Sequence, residues 1–456
     1  MIRELSATEW QAKQGRFVAL WTDANFAYAL YHPGELVFVA LEQGGYPALA
    51  HKGAGWFMRL ARDLNGHVAR GFEAAPPAID HGAAPDGSGP WPEFARHPAE
   101  GAHQVAVGPV HAGIIEPGHF RFDVKGEQVL RLTARLGYEH KGILGLMRGK
   151  SPAHAARFAA RVSGDATVAH SLAFAHAAEQ AAGLTPPPRA VNLRAIMAEL
   201  ERLANHASDV GAMAGDAGFA FLDARFALLR ELVCQAAQAA FGHRLMMDRV
   251  VPGGVADDLA EGGREAILAA LGAVEAELPS LRRVFEDYAS LQDRVVGTGL
   301  VPPALAEAYA AGGYVGRASG QRGDARLSPG YAPYETFALY VPVEQAGDVA
   351  ARIKVRLEEI PESIRLVREC LASLPGGALC LAPDPATGMG LGVAESFRGA
   401  VWYWLRLDAG LIADIFIADA STLHWPLLEH AATTSILADF PLINKSINGS
   451  YAGGDL

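Results

Sequence analysis

The chain has 456 residues, 50% of them hydrophobic and 20% charged. That is ample for a large buried core and excludes a disordered chain or a small stapled scaffold. Lys and Arg number 39 against 50 Asp and Glu, a net charge of −11; with no dense basic run, nucleic acid is not an expected partner.

In chain order, residues 17–41 hold two apolar, aromatic-rich runs around His32-Pro33-Gly34, which predicts a β-hairpin. Residues 55–70 predict an amphipathic helix closed by Gly66. Together these give a small α+β domain over 1–80. The Pro-, Gly- and Ala-dense stretch 81–104 reads as a linker. From Val105, short strands punctuated by Gly and Pro predict a small antiparallel sheet. Helical spans follow at 154–182, 190–214, 218–248, 256–296, 303–312 and 344–374. Breaks fall at 186–188, at 251–254 and across the irregular 313–334. The last part returns to strands (ALCLAP, GAVWYWLRLD, LIADIFIAD) before a short helix near 425–437. Phe440, Leu442, Ile443 and Ile447 predict that the Gly-rich tail docks onto the body rather than fraying. The expected fold class is α+β: a long-helix bundle flanked by small antiparallel sheets over 105–456, preceded by the small α+β domain.

Cys234, Cys370 and Cys380 are widely separated and form no C-x-x-C pair. That excludes a self-contained zinc ribbon or a cysteine-ligated iron–sulfur cluster in this chain and favours a reducing compartment. The N-terminal MIRELSATEWQAKQGRF lacks the apolar core of a signal peptide. No apolar run approaches the roughly 18–20 residues that span a bilayer. Membrane contact is expected only through partners.

Four groups of residues could carry chemistry. Glu199, Arg202 and His206 share one helix face, with Glu201 and Asn205 beside them at i, i+4; a solvated or ion-paired face would look the same. Arg161-Val-Ser-Gly-Asp-Ala-Thr opens a helix, where capping is the simple account. His111, Glu116 and His119 lie close in sequence beside a turn and could ligate a metal or be satisfied loop residues. The fourth is the tail LADFPLINKSINGSYAGGDL.

In order, GPVHAGIIEPGHFRFDVKGE (108–127), LGYEHKGI (136–143), ELERLANHASDVG (199–211), VPGGV (251–255), RASGQRGDAR (317–326), ESFRG (395–399) and DASTLHWPLLEHA (419–431) resemble the landmarks of one superfamily. It comprises the large subunits of energy-converting nickel–iron hydrogenases and the related quinone-site subunit of respiratory complex I, NADH-quinone oxidoreductase. Residues 1–80 are more weakly similar to the complex I subunit with the smaller α/β fold, in truncated form. The hydrogenases hold nickel and iron through R-x-C-G-x-C and a C-terminal C-x-x-C. The matching positions here are Ser163, Ala166, Ser450 and Gly453, and alanine and glycine donate nothing to a soft metal. Hydrogenase large subunits also carry a cleaved extension, whereas this chain reaches Leu456 just past the motif, so no processing is expected. The quinone-contacting tyrosine of complex I falls on Gly164, leaving His111 to line a residual pocket.

The resemblance therefore implies a hydrogenase-related subunit without cofactor of its own, and without intrinsic hydrogenase activity. It would dock an iron–sulfur small subunit carrying a 4Fe–4S cluster, beside antiporter-like membrane subunits, with quinone or NAD only at the level of the whole complex. Its place would be peripheral, on the cytoplasmic side of the inner membrane. Glu199, Arg202 and His206 would couple redox events to proton movement, while Arg398 would lie over the emptied metal site and pair with Asp165. Three alternatives stay open: a structural scaffold, a quinone-binding subunit, and a harder metal held by His111, His119 and Asp165.

Overall fold

The computed structural model describes residues 2–43, 45–72, 78–79, 94–111 and 115–456. Of the expected linker, residues 81–93 lie outside the described residues; the chain is described again up to a strand that starts at His103.

Residues 17–41 form three strands rather than two: Phe17–Thr22, Phe26–Tyr31 and Glu35–Ala40. The Asp23 carboxylate accepts hydrogen bonds from the backbone N–H groups of Asn25 and Phe26 at 2.8 and 2.9 Å, which folds the first apolar run back on itself. Ile2–Glu4 adds a parallel edge strand. The following helix, Ala54–Asn65, stops at Gly66 with φ 72°. It is shorter than its periodicity predicts, because Val68–Arg70 leaves the helix to pair as a strand with Gly45–Pro47. The inner face of this first sheet is aromatic and meets the C-terminal sheet. Trp21 stacks on Phe416 at 5.1 Å, and Tyr28 lies 5.0 Å from Trp404.

His103–Val107, His119–Lys125 and Gln128–Arg135 make the expected antiparallel sheet. The bundle is built from Thr167–Ala182, Pro188–Asp216, Ala220–Phe241, Gly263–Asp287 and Val349–Ala372. The span 154–182 is two helices, Pro152–Ala159 and Thr167–Ala182, and the turn between them carries Ser163 and Asp165. The span 218–248 closes at Phe241 because Gly242 takes φ 73°. The span 256–296 divides into Gly263–Asp287 and Ala289–Val295.

Gly388–Ser396, Gly399–Asp408 and Leu411–Ala418 form the C-terminal sheet. Its first strand lies directly on Thr167–Ala182. A Cβ at Gly390 or Gly392 would sit 1.9 or 2.1 Å from the carbonyls of Ala177 or Ala173, so only glycine permits this approach. ALCLAP is not a strand; Cys380 makes one isolated bridge to Gly254. After the Ser421–Ala432 helix, the tail forms helices Phe440–Ile447 and Tyr451–Asp455, with Asp455 and Leu456 buried. The docked tail follows its apolar spacing. Among the described residues no helix is long and apolar enough to cross a membrane.

Candidate functional site

The turn at 163–166 and the tail at 450–453 are far apart in sequence and meet in space. Ser163 donates to Asp165 Oδ1 at 2.9 Å, and its Oγ lies 2.9 Å from Ser450 Oγ. Ser450 in turn caps the last helix, accepting from Gly453 N–H at 2.9 Å. A Cβ at Gly453 would stand 2.9 Å from the Asp419 carboxylate. Asp419 is held by His170 Nε2 at 3.1 Å and by the N–H of Ser421 at 2.7 Å. His170 Nδ1 reaches the Tyr403 hydroxyl at 3.0 Å. Burial raises the Asp419 carboxyl, but His170 and Ser421 more than offset that and hold it below the usual carboxylate range.

Arg398 closes this cluster. Its two terminal nitrogens grip Asp165 at 2.7 and 2.6 Å, and Nε donates to the Asn448 carbonyl. The Arg398 side chain is 4% exposed and that of Asp165 44%, so one end of the pair is buried and the other opens to the surface. Loss of solvent raises the Asp165 carboxyl, yet the Arg398 guanidinium and Ser163 bring it below its ordinary value. The expected Arg398–Asp165 pairing is present in bidentate form.

The stripe Glu199, Arg202 and His206 is buried, not solvated. Glu199 accepts from Arg202 at 3.2 Å, Ser363 at 2.7 Å, Arg326 at 3.0 Å and the Tyr334 hydroxyl at 2.7 Å. Arg202 also donates to the carbonyls of Glu395 and Ser396. His206 Nε2 meets Glu359 Oε2 at 2.7 Å, while Arg317 reaches the other Glu359 oxygen at 2.7 Å. Arg317 further contacts Glu395 at 3.0 Å and Asp324 at 3.3 Å, and Asp324 holds Arg326. Burial lowers the His206 imidazole and Glu359 pulls it back up; the net direction is down. Among the described residues, buried His206 Nδ1 and Arg317 Nε find no hydrogen-bond partner, and the Arg317 Nη2–Glu359 Oε1 contact is an ion pair without hydrogen-bond geometry.

Sequence reasoning named only three members of this network. Arg317, Asp324, Arg326 and Glu395 sit in segments whose wording was noted without a role. Glu359 was missed, although Arg352, Arg356 and Glu359 at i, i+4 and i+7 amid apolar residues mark a charged buried face. Glu201 does not bond the Asn205 side chain. Its carboxylate caps Val168 and Ala169 at 2.7 and 3.0 Å, while the Asn205 amide donates to the carbonyls of Asp165 and Glu201.

His111, Glu116 and His119 do not converge. Glu116 accepts from the N–H groups of Tyr451 and Ala452 at 3.0 and 3.2 Å, at the start of the last helix. His111 stacks on Phe120 and His119 on Phe94. Among the described residues no group of three His, Cys, Asp or Glu side chains could hold a metal ion, so a harder metal on His111, His119 and Asp165 has no site. Cys234 and Cys370 are buried and Cys380 exposed; Cys234 lines a small cavity together with Asp165, Glu201 and Asn205.

Burial raises Glu201 to about 8, and Glu429 and Asp455 to about 7. Each holds its proton more tightly folded than unfolded, so its contribution fades as pH rises toward those values. His176 and His424 are lowered by burial to about 4, and they act oppositely, adding stability as pH rises to about 6.5. Between about pH 4.5 and 6.5 the two histidines offset most of the loss from the three carboxyls; above about 6.5 only the carboxyl losses remain, so the melting midpoint is expected to fall by a few degrees from about pH 6.5 to 8.5. Glu201→Gln should flatten that fall; an unchanged slope would contradict the assignment.

The family model for the respiratory-chain NADH dehydrogenase 49 Kd subunit matches residues 216–389. The chain is 31% identical over 353 residues to the carbon monoxide-induced hydrogenase of Rhodospirillum rubrum, covering 76% of this chain and 97% of that protein. It is 30% identical over 355 residues to formate hydrogenlyase subunit 5 of Escherichia coli, covering 77% of this chain and 62% of that longer protein. It is 29% identical over 292 residues to NADH-quinone oxidoreductase subunit 4 of Thermus thermophilus, covering 63% and 70%. With the ordered landmarks and the meeting of the 163–166 and 450–453 turns, these matches show that the chain belongs to the family joining hydrogenase large subunits to the 49 Kd subunit of respiratory NADH dehydrogenase.

Proposed function

We propose that this chain is a subunit of a membrane-associated redox complex, hydrogenase-like or NADH-quinone oxidoreductase-like, with no nickel–iron centre of its own. The carrying observation is the donor set where that centre would be held: two hydroxyls at Ser163 and Ser450, a methyl at Ala166 and no side chain at Gly453. The hydroxyls are engaged with each other and with Asp165, and the Asp419 carboxylate stands against Gly453. Soft thiolates are absent from all four positions, so the site does not fit the metal pair.

The chain would dock an iron–sulfur small subunit and, through it, membrane subunits, as a peripheral protein on the cytoplasmic side of the inner membrane. The buried network supports a part in proton movement. Glu199, Asp324, Glu359 and Glu395 face Arg202, Arg317 and Arg326, one carboxylate in excess among the directly bonded side chains, with Arg16 acting on Glu395 from farther off and His206 as the titratable neighbour. Burying a net charge is unfavourable, and Glu395, whose carboxyl burial raises, is the member on which a proton would balance the network. A structural scaffold is the second reading, and the hydrogen-bonded closure of the Ser163–Ser450 positions favours it. For quinone contact only His111 of the usual pair is at hand, since Gly164 stands at the tyrosine position.

Purification through an N-terminal tag from gently solubilised native membranes tests the complex reading. Co-purification of an iron–sulfur subunit with polytopic membrane subunits is expected. Recovery of the chain alone from the soluble fraction would overturn it.

A further inference from the structure

In a chain of net charge −11, residues 141–161 read KGILGLMRGKSPAHAARFAAR and hold five Lys or Arg and no Asp or Glu. The structure gathers part of this segment around the Pro152–Ala159 helix as an open groove of about 1,150 Å³. Its walls include Lys150, Ser151, His154, Arg157, Phe158 and Leu411.

Three of the five cations are already engaged. Arg148 pairs with Asp414 at 2.8 Å, and Arg161 grips Asp248 at 2.6 and 2.8 Å. Lys141 donates to the carbonyls of Arg161 and Val162. Lys150 and Arg157 make no close ion pair among the described residues, although Arg157 stands near enough to the Arg161–Asp248 pair to help lower the Asp248 carboxyl. Lys150 Nζ lies 5.8 Å from the Phe158 ring centre, and Arg157 is exposed. Leu411 is 48% exposed beside them. The groove thus offers two positive charges outside any close ion pair and apolar side chains on a concave floor.

We propose that this groove docks an acidic segment of a partner protein, one that brings at least two carboxylates to Lys150 and Arg157 and an apolar side chain to Phe158 and Leu411. Its volume exceeds the roughly 300–1,000 Å³ typical of small-molecule clefts. Two such cations fall well short of the roughly 6–10 phosphate contacts of a nucleic-acid site. A lipid surface would gain only about 1 kcal/mol from each of them, and a flat bilayer does not follow a concave floor. A protruding protein segment meets the charge, the shape and the apolar contacts together. The inference does not depend on the redox reading above.

Fluorescence anisotropy on the full chain tests it, with a labelled peptide of alternating Glu and Leu, its Lys–Leu counterpart, and vesicles containing phosphatidylserine. The Glu–Leu peptide is expected to bind and to weaken about tenfold or more with rising salt and in Lys150→Glu/Arg157→Glu. That double variant should instead acquire binding of the Lys–Leu peptide. Arg157→Gln, a milder change at an exposed position, should shift affinity in the same direction by less. If neither peptide distinguishes the wild-type chain from the double variant at an unchanged melting midpoint, the proposal fails. It also fails if variant-sensitive binding is seen only with the vesicles.

Discussion

Replacing Arg317 by Met is expected to destabilise the fold by about 3–5 kcal/mol, enough to remove most soluble protein at ordinary growth temperature. The side chain is fully buried and serves Glu359, Glu395 and Asp324 at once. Met fills a similar volume, so the loss comes from carboxylates left without their cation in a medium that cannot solvate them. Arg282→Met is the control. Arg282 bonds Glu286 at 2.8 Å, but both side chains are largely exposed, and an exposed pair contributes about 0–1 kcal/mol. Chemical denaturation of the two variants side by side checks the contrast. A loss under about 1 kcal/mol for Arg317→Met would show that the network relaxes or takes up water, contrary to the burial seen here.

Arg398→Met is expected to have the second largest effect, about 2–3 kcal/mol. Asp165 loses a bidentate partner and the Asn448 carbonyl loses its donor. The effect is smaller than at Arg317 because Asp165 is 44% exposed and water can replace the guanidinium at that end. Asp165→Asn in the same chain should recover part of the loss, with a coupling of about 1–2 kcal/mol between the two changes. Stability and complex function separate here. If Arg398→Met leaves both assembly with partner subunits and coupled activity unchanged, Arg398 has no part beyond the fold, and the scaffold reading gains.

Much of this was legible in the sequence, and what was not has a physical cause. The helices of the bundle follow from periodicity and the Pro and Gly breaks, and the tail docks where its apolar spacing says. The 17–41 region became three strands because a single Asp23 side chain turns the backbone, and a hydropathy pattern does not register one side-chain bond. ALCLAP has strand composition but finds only one bridging partner, at Gly254.

At the site, the replacement of thiolates by Ser163, Ala166, Ser450 and Gly453 is visible as letters. What fills the space is not: Asp419 and His170 come from a strand end and a helix that only the fold brings together. Likewise Glu199, Arg202 and His206 announce a polar face, while their partners on the 317–326 segment, the Val349–Ala372 helix and the Gly388–Ser396 strand depend on tertiary packing. Spacing along one helix says which side chains share a face. It does not say what that face meets.

The most direct test of the central claim is the nickel content of the chain, purified with its partners from a host grown with nickel and able to mature hydrogenases. Two hydroxyls, a methyl and a glycine predict nickel far below one atom per chain. Stoichiometric nickel, retained through gel filtration and lost when Ser163 and Ser450 are replaced by Ala, would contradict the account.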